Sequence, residues 1–189
     1  MTTGGFVLGA LLSTYLMGSI ARPVSQLAAG LVYVALYGAI IGVPVATAQL
    51  IALRREALSR RAWVVAGAVG TGGGYALASV VGELLGNAID PSVPLIVGEG
   101  TIEVASGAVL GLAVGVAQWS ALQRIRMSGS WIAASVIGAG LGYGAASGAL
   151  EFVGGPILKA SLPATFALIL GLFVAAAQAL ALGRSTNSV

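Results

Sequence analysis

The sequence predicts an all-α integral membrane protein of six transmembrane helices, built as three tandem helical hairpins. Three observations lead there. First, only 8% of the 189 residues are charged and 58% are hydrophobic, with mean hydropathy +0.99. A soluble domain carries about 25% charged residues, so this chain has too few to solvate a globular surface. Second, the apolar residues fall into runs of roughly the 20 residues a helix needs to cross a bilayer. Third, the basic residues gather between alternate runs, as they do on the cytoplasmic side of membrane proteins.

The six expected spans are Gly4–Ile20, Leu27–Leu53, Ala62–Leu85, Thr101–Leu122, Trp131–Val153 and Leu162–Leu182. The first is short. No Lys or Arg precedes it, and a secretory signal needs that positive segment, so it reads as a retained helix. Gly and Pro inside the runs are compatible with membrane helices. Arg54, Arg55, Arg60 and Arg61 follow the second run, Arg124 and Arg126 follow the fourth, and Arg184 follows the sixth. With six spans these seven share one face, and only Arg22 and Lys159 lie on the other. The positive-inside rule then puts both termini in the cytoplasm, with the plasma membrane as the expected location. Trp63, Trp119 and Trp131 fall at the cytoplasmic ends of spans and read as an interfacial belt.

The spans repeat. Gly38, Gly42, Gln49, Leu53 and Arg55 recur at Gly107, Gly111, Gln118, Leu122 and Arg124, and the last four recur at Gly171, Gln178, Leu182 and Arg184. Tyr75, Ser79, Glu83 and Gly86 recur at Tyr143, Ser147, Glu151 and Gly154. Tyr15 and Ser19 continue that spacing, with Pro23 in place of Glu. The chain is thus one transmembrane domain, 1–189, with repeat units of about 4–56, 62–126 and 131–184. Hairpins that each cross twice point the same way, which allows a pseudo-threefold axis along the membrane normal; a row of hairpins satisfies the sequence too. The hairpin pattern, with its best match at Gln118-Trp119-Ser120-Ala121-Leu122, resembles a class of uncharacterised bacterial multi-pass membrane proteins with Gln-Trp-x-x-Leu-Arg at helix ends. The resemblance implies no activity. Leu50 and Ala179 depart from its Trp, and Gln123 and Gly183 from its first Arg. The Pro-x-[Asp/Glu]-x-x-[Lys/Arg] signature of mitochondrial carriers is missing, which argues against that three-hairpin family.

In the even-numbered spans, Gly107, Gly111, Gly115, Gln118 and Leu122 lie on one helix face. Gly38, Gly42, Ala46, Gln49 and Leu53 make the same stripe, as do Ala167, Gly171, Ala175, Gln178 and Leu182. Small residues at this spacing let helices pack closely in lipid. Gln49, Gln118 and Gln178 then either bridge helices or ring a cytoplasmic constriction that takes a polar ligand. In the odd spans, Tyr75, Ser79 and Glu83, and Tyr143, Ser147 and Glu151, form polar stripes ending at the outer face. Intramembrane carboxylates are functional candidates, here either interfacial and paired with Arg22 or Lys159 or binding a cation or solute. Glu99 and Glu103 suit a helix N-terminus and are also candidates for an outer acidic cluster. Pro91 and Pro94 break the chain before Leu95-Ile96-Val97, a re-entrant piece or a surface loop.

The sequence has no Cys and no His, which removes thiol and imidazole nucleophiles, bases and metal ligands. Gly70–Gly74 lacks the spacing of a phosphate loop and lies inside a span. No cofactor, no catalytic residue and no nucleic-acid partner is expected. The cytoplasmic arginines set topology and can hold lipid headgroups. The expectation is a non-catalytic accessory, assembly or lipid-interacting membrane protein, whose partners are lipids, other membrane proteins or itself. The alternative is a small transporter or channel for a cation or small polar solute.

Overall fold

The computed structural model describes residues 26–53, 59–90, 92–122, 130–152 and 171–178. These are all-helical. Four long helices run in order: α1 (Gln26–Leu53), α2 (Arg60–Ala88), α3 (Leu95–Leu122) and α4 (Ser130–Phe152). A fifth helical stretch, α5, covers 171–178. Segments of α1, α2 and α3 (Ala28–Ile51, Arg60–Ala88 and Val97–Ala121) are long and apolar enough to cross a membrane. The expected first span, Gly4–Ile20, and most of the sixth lie outside the described residues.

Local sequence explains the helix ends. Ser59 caps α2 by accepting from the Ala62 amide at 3.4 Å, while its own carbonyl accepts from Trp63 at 3.0 Å. At the other end Ile89 donates back to Leu85 at 2.9 Å. The chain then turns: Asp90 accepts from the Ser92 amide through its carboxylate at 2.8 Å and from the Val93 amide through its carbonyl at 2.9 Å. The Ser92 amide, aided by the Ser92 side chain, holds the Asp90 carboxyl below the usual carboxylate range. Leu95-Ile96-Val97 is neither a re-entrant piece nor a loop. It is the first turn of α3, entered from Pro94, whose carbonyl accepts from Val97 and Gly98. A proline just before a helix costs nothing, because that position has no helical acceptor for its amide. Sequence reasoning treated Pro94 only as a breaker and started the span six residues late.

Each long helix packs on the next, antiparallel, through glycine. A Cβ at Gly38 would stand 2.6 Å from the Thr71 carbonyl oxygen and 2.7 Å from the Tyr75 ring. A Cβ at Gly42 would stand 2.5 Å from the Gly67 carbonyl oxygen. α3 meets α4 in the same way. A Cβ at Gly107 would lie 2.5 Å from both the Ala139 carbonyl oxygen and Tyr143, and one at Gly111 would collide with the Ser135 carbonyl. The contacts keep the sequence offsets: Gly38 to Gly107 is 69 residues, and Tyr75 to Tyr143 is 68. The joints between α2 and α3 and between α4 and α5 also correspond. Gly70 faces Val114 and the Ala117 methyl, the latter at 2.8 Å. Gly138 faces Val174 and the Ala177 methyl, the latter at 2.9 Å.

The outward faces are apolar. On α2, Trp63, Gly67, Gly70, Thr71, Gly74 and Ala78 are buried, while Val65, Val69, Leu77 and Leu84 on the opposite face are more than half exposed. Val32, Leu36, Val43 and Ile51 on α1 and Leu112 and Val116 on α3 are exposed too. A belt of bare aliphatic side chains around a small-residue interior is what a bundle immersed in hydrocarbon presents.

The packing generates a contrast between two glycines. Gly111→Val forces a branched side chain into the Ser135 backbone and should cost about 1–3 kcal/mol, as overpacking does. Gly73 is exposed on the same bundle with nothing near its missing Cβ, so Gly73→Ala should change stability by no more than about 1 kcal/mol, in the stabilising direction. Thermal unfolding in detergent checks both; equal effects would contradict the close approach.

Candidate functional site

The three glutamines meet. Gln49 (α1), Gln118 (α3) and Gln178 (α5) are 3%, 1% and 4% exposed. They form a directed chain of amides. Gln118 Nε2 donates to Gln49 Oε1 at 2.6 Å, and Gln49 Nε2 donates to Gln178 Oε1 at 2.9 Å. At the head of the chain, Trp131 Nε1 donates to Gln118 Oε1 at 3.2 Å. At its tail, Gln178 Nε2 is buried and has no hydrogen-bond partner among the described residues.

The stripes explain the convergence. Gly42, Ala46 and Gln49 lie on one face of α1, and Gly111, Gly115 and Gln118 on one face of α3, all of them buried. Close backbone approach through the small residues carries the amides to the same point. Gln49 stands four residues before the end of α1, about 6 Å along the axis. Interhelical amide bonds in a membrane contribute about 0.6–2 kcal/mol each. An amide buried without a partner costs about 1–3 kcal/mol by protein mutational data, so the loss is larger than the gain.

Trp63 and Trp131 complete the cluster, and here the expected interfacial belt is corrected. Both are fully buried, at 0% and 1% exposure. Their rings pack edge to face with centroids 5.8 Å apart. Trp63 Nε1 donates to the Ala46 carbonyl at 3.1 Å. The indole N–H groups thus find acceptors inside the bundle instead of at headgroups. A sequence signal was available: Trp63 and Trp131 are 68 residues apart, the offset that links Tyr75 to Tyr143.

Next to the glutamines lies a cavity with about 30 Å³ of water-accessible volume. Gln49, Gln118, Thr71 and Ser135 border it, but its wall is mostly apolar, with Val45, Leu110, Val114 and Val174 among the lining residues. Thr71 and Ser135 donate their hydroxyl protons to the carbonyls one turn back, Gly67 at 2.7 Å and Trp131 at 2.9 Å. Tyr37, Tyr75 and Tyr143 pack against the core of which Val45, Leu110, Ala139 and Val174 are part, with the Tyr37 and Tyr75 rings edge to face at 5.7 Å.

The Tyr-Ser-Glu stripes do not join the glutamines. Tyr75 is half-buried, but Ser79 and Glu83 are exposed, and the Ser79 hydroxyl donates to its own helix at the Tyr75 carbonyl, 2.9 Å away. Tyr143 and Ser147 are half-buried. The side chain of Glu151 lies outside the described residues, as do Arg54, Arg55, Arg124, Arg126 and Arg184. Arg60 and Arg61 are exposed at the start of α2. Glu99 and Glu103 are half-buried on α3. Glu103 lies within electrostatic range of Tyr143. Glu99 instead borders a groove beside Asp90 and Ile102. Among the described residues, no group of three acidic, His or Cys side chains is placed to hold a metal ion.

The amide chain makes a coupling testable. Gln118→Leu leaves the Trp131 N–H and the Gln49 Oε1 buried without this partner and should cost about 1–3 kcal/mol. The double variant Gln49→Leu/Gln118→Leu should cost less than the sum of the two single changes, by about 0.5–2 kcal/mol. A double-mutant cycle on reversible unfolding in mixed micelles measures this, and strict additivity would show that the two amides do not interact. The chain matches no family model, no curated protein and no solved structure in comparisons with each.

Proposed function

We propose that this chain is a non-catalytic multi-pass protein of the plasma membrane, with an accessory, assembly or lipid-interacting role. In this reading it has six spans in three like-oriented hairpins about a pseudo-threefold axis, with both termini cytoplasmic. Support for the axis comes from Gln49, Gln118 and Gln178, one from each repeat unit, meeting at one point. It comes also from the glycine contacts that recur at constant offset. The alternation of arginine-rich and arginine-poor connections supports the orientation.

The observation that carries the functional reading is the use of the glutamine amides on one another. A solute path needs polar groups facing a common aqueous opening. Here the three buried amides face neighbouring helices, closed in by Trp63 and Trp131, and the exposed Glu83 stands apart from them. The absence of His and Cys from the sequence supports the non-catalytic part. Lipids are the first partners. Arg60 and Arg61, with the other arginines expected on that side, attract anionic headgroups at about 1 kcal/mol per basic residue.

One feature favours the alternative, a small transporter for a cation or polar solute: the cavity beside the glutamines, which Gln49 and Gln118 border although most of its wall is apolar. Reconstitution into liposomes separates the two. Cation, proton and small-solute flux should equal that of protein-free vesicles, and binding to vesicles containing anionic lipid should weaken when Arg60 and Arg61 are changed to Gln. Flux above background that changes on Gln118→Leu or Glu83→Gln would replace the accessory role by transport.

A further inference from the structure

We infer that the cavity between the helices is a preformed, dry site for one small apolar molecule, of the size of dioxygen, taken up from the bilayer. The helix seams hold it open. Gly42 and Gly67 border it where α1 meets α2, and a Cβ at Gly42 would stand 2.5 Å from the Gly67 carbonyl oxygen. Gly111 and Ser135 border it where α3 meets α4, again with no room for a Cβ. Between α2 and α3, a Cβ at Gly74 would stand 2.8 Å from the side chain of Leu110, which is part of the wall. With each of these pairs already touching, the bundle cannot close the void by drawing its helices together.

Chemistry and size select the guest. The wall is mostly apolar, and all its residues except the half-buried Val114 are buried. The polar groups at its border are engaged elsewhere. Thr71 and Ser135 donate to carbonyls of their own helices, and the Gln118 and Gln49 amides donate along the glutamine chain. A held water needs two to four polar partners, and apolar voids stay dry. A void also deprives its wall of dispersion contacts, which an apolar guest restores without any hydrogen bond. The cavity volume is about 30 Å³, against about 150 Å³ for one that takes benzene. A single large atom or a diatomic molecule fits; a ring or an acyl chain does not.

Xenon is the probe, applied to the full chain in nanodiscs with isotope-labelled Val and Leu methyl groups. Under rising xenon pressure the methyl resonances of Val45, Leu110 and Val174 should shift along a saturating curve. Those of Val65 and Val69, which are exposed, should follow a straight line at most. Val174→Ile puts one more methylene into the void and should weaken xenon binding about tenfold or more. The same change should raise the thermal midpoint. Straight-line shifts at Val45, Leu110 and Val174 in the unmodified protein would overturn the site, whatever the variant does. A saturating response to benzene would overturn the size of the guest. A nuclear Overhauser contact between water and these three residues' methyls would overturn the dry cavity.

Discussion

Hydrocarbon gives two helices no hydrophobic reason to associate, so everything in this bundle depends on how closely the backbones can touch. At Gly38, Gly42, Gly107 and Gly111 they touch to the limit, with a neighbouring carbonyl lying where a side chain would begin. Such contact brings dispersion forces from whole peptide groups to bear and removes lipid from the seam. It also fixes the rotation of each helix, because only one face of α1 and of α3 is smooth enough. Rotation in turn decides which side chains meet at the centre and which are left to the acyl chains.

The glutamine cluster follows from that geometry. Close backbones leave little room between the helices, and the side chains that end the smooth stripes must share it. Amides suit the position because each both donates and accepts, so three of them link in series without importing charge. The two tryptophans fill the remaining width and anchor their N–H groups on Gln118 and on the Ala46 carbonyl. Outside this centre, Val65, Val69, Leu77 and Leu84 show how little of α2 is needed for packing and how much is left to solvent that is itself apolar.

Much of this was legible in the sequence because membrane helices obey few rules. Run length and charge poverty gave the helical class, and the four-residue spacing of Gly and Ala identified the faces that touch. The shared offsets singled out Gln49, Gln118 and Gln178, though not whether they would bridge helices or ring an opening. Trp63 and Trp131 were misplaced because an indole near a helix end has the same sequence signature at a headgroup as in a core. Only the packing partner distinguishes the two, and that partner is distant in the chain. The start of α3 was missed because Pro94 is equally a terminator and an entry. Ser79 and Glu83 share a stripe with Tyr75, yet helix periodicity alone cannot say which members of a stripe a neighbouring helix covers.

The indole of Trp131 has one more effect. A series of carboxamides can be drawn with every group rotated by half a turn, reversing each donor and acceptor at almost no cost. Trp131 offers a hydrogen and no lone pair in the ring plane, so it can address Gln118 only through oxygen. That single asymmetric neighbour breaks the degeneracy, and the polarity it sets passes through Gln118 and Gln49 to Gln178. One heterocycle thereby orders the dipoles of side chains contributed by three separate helices.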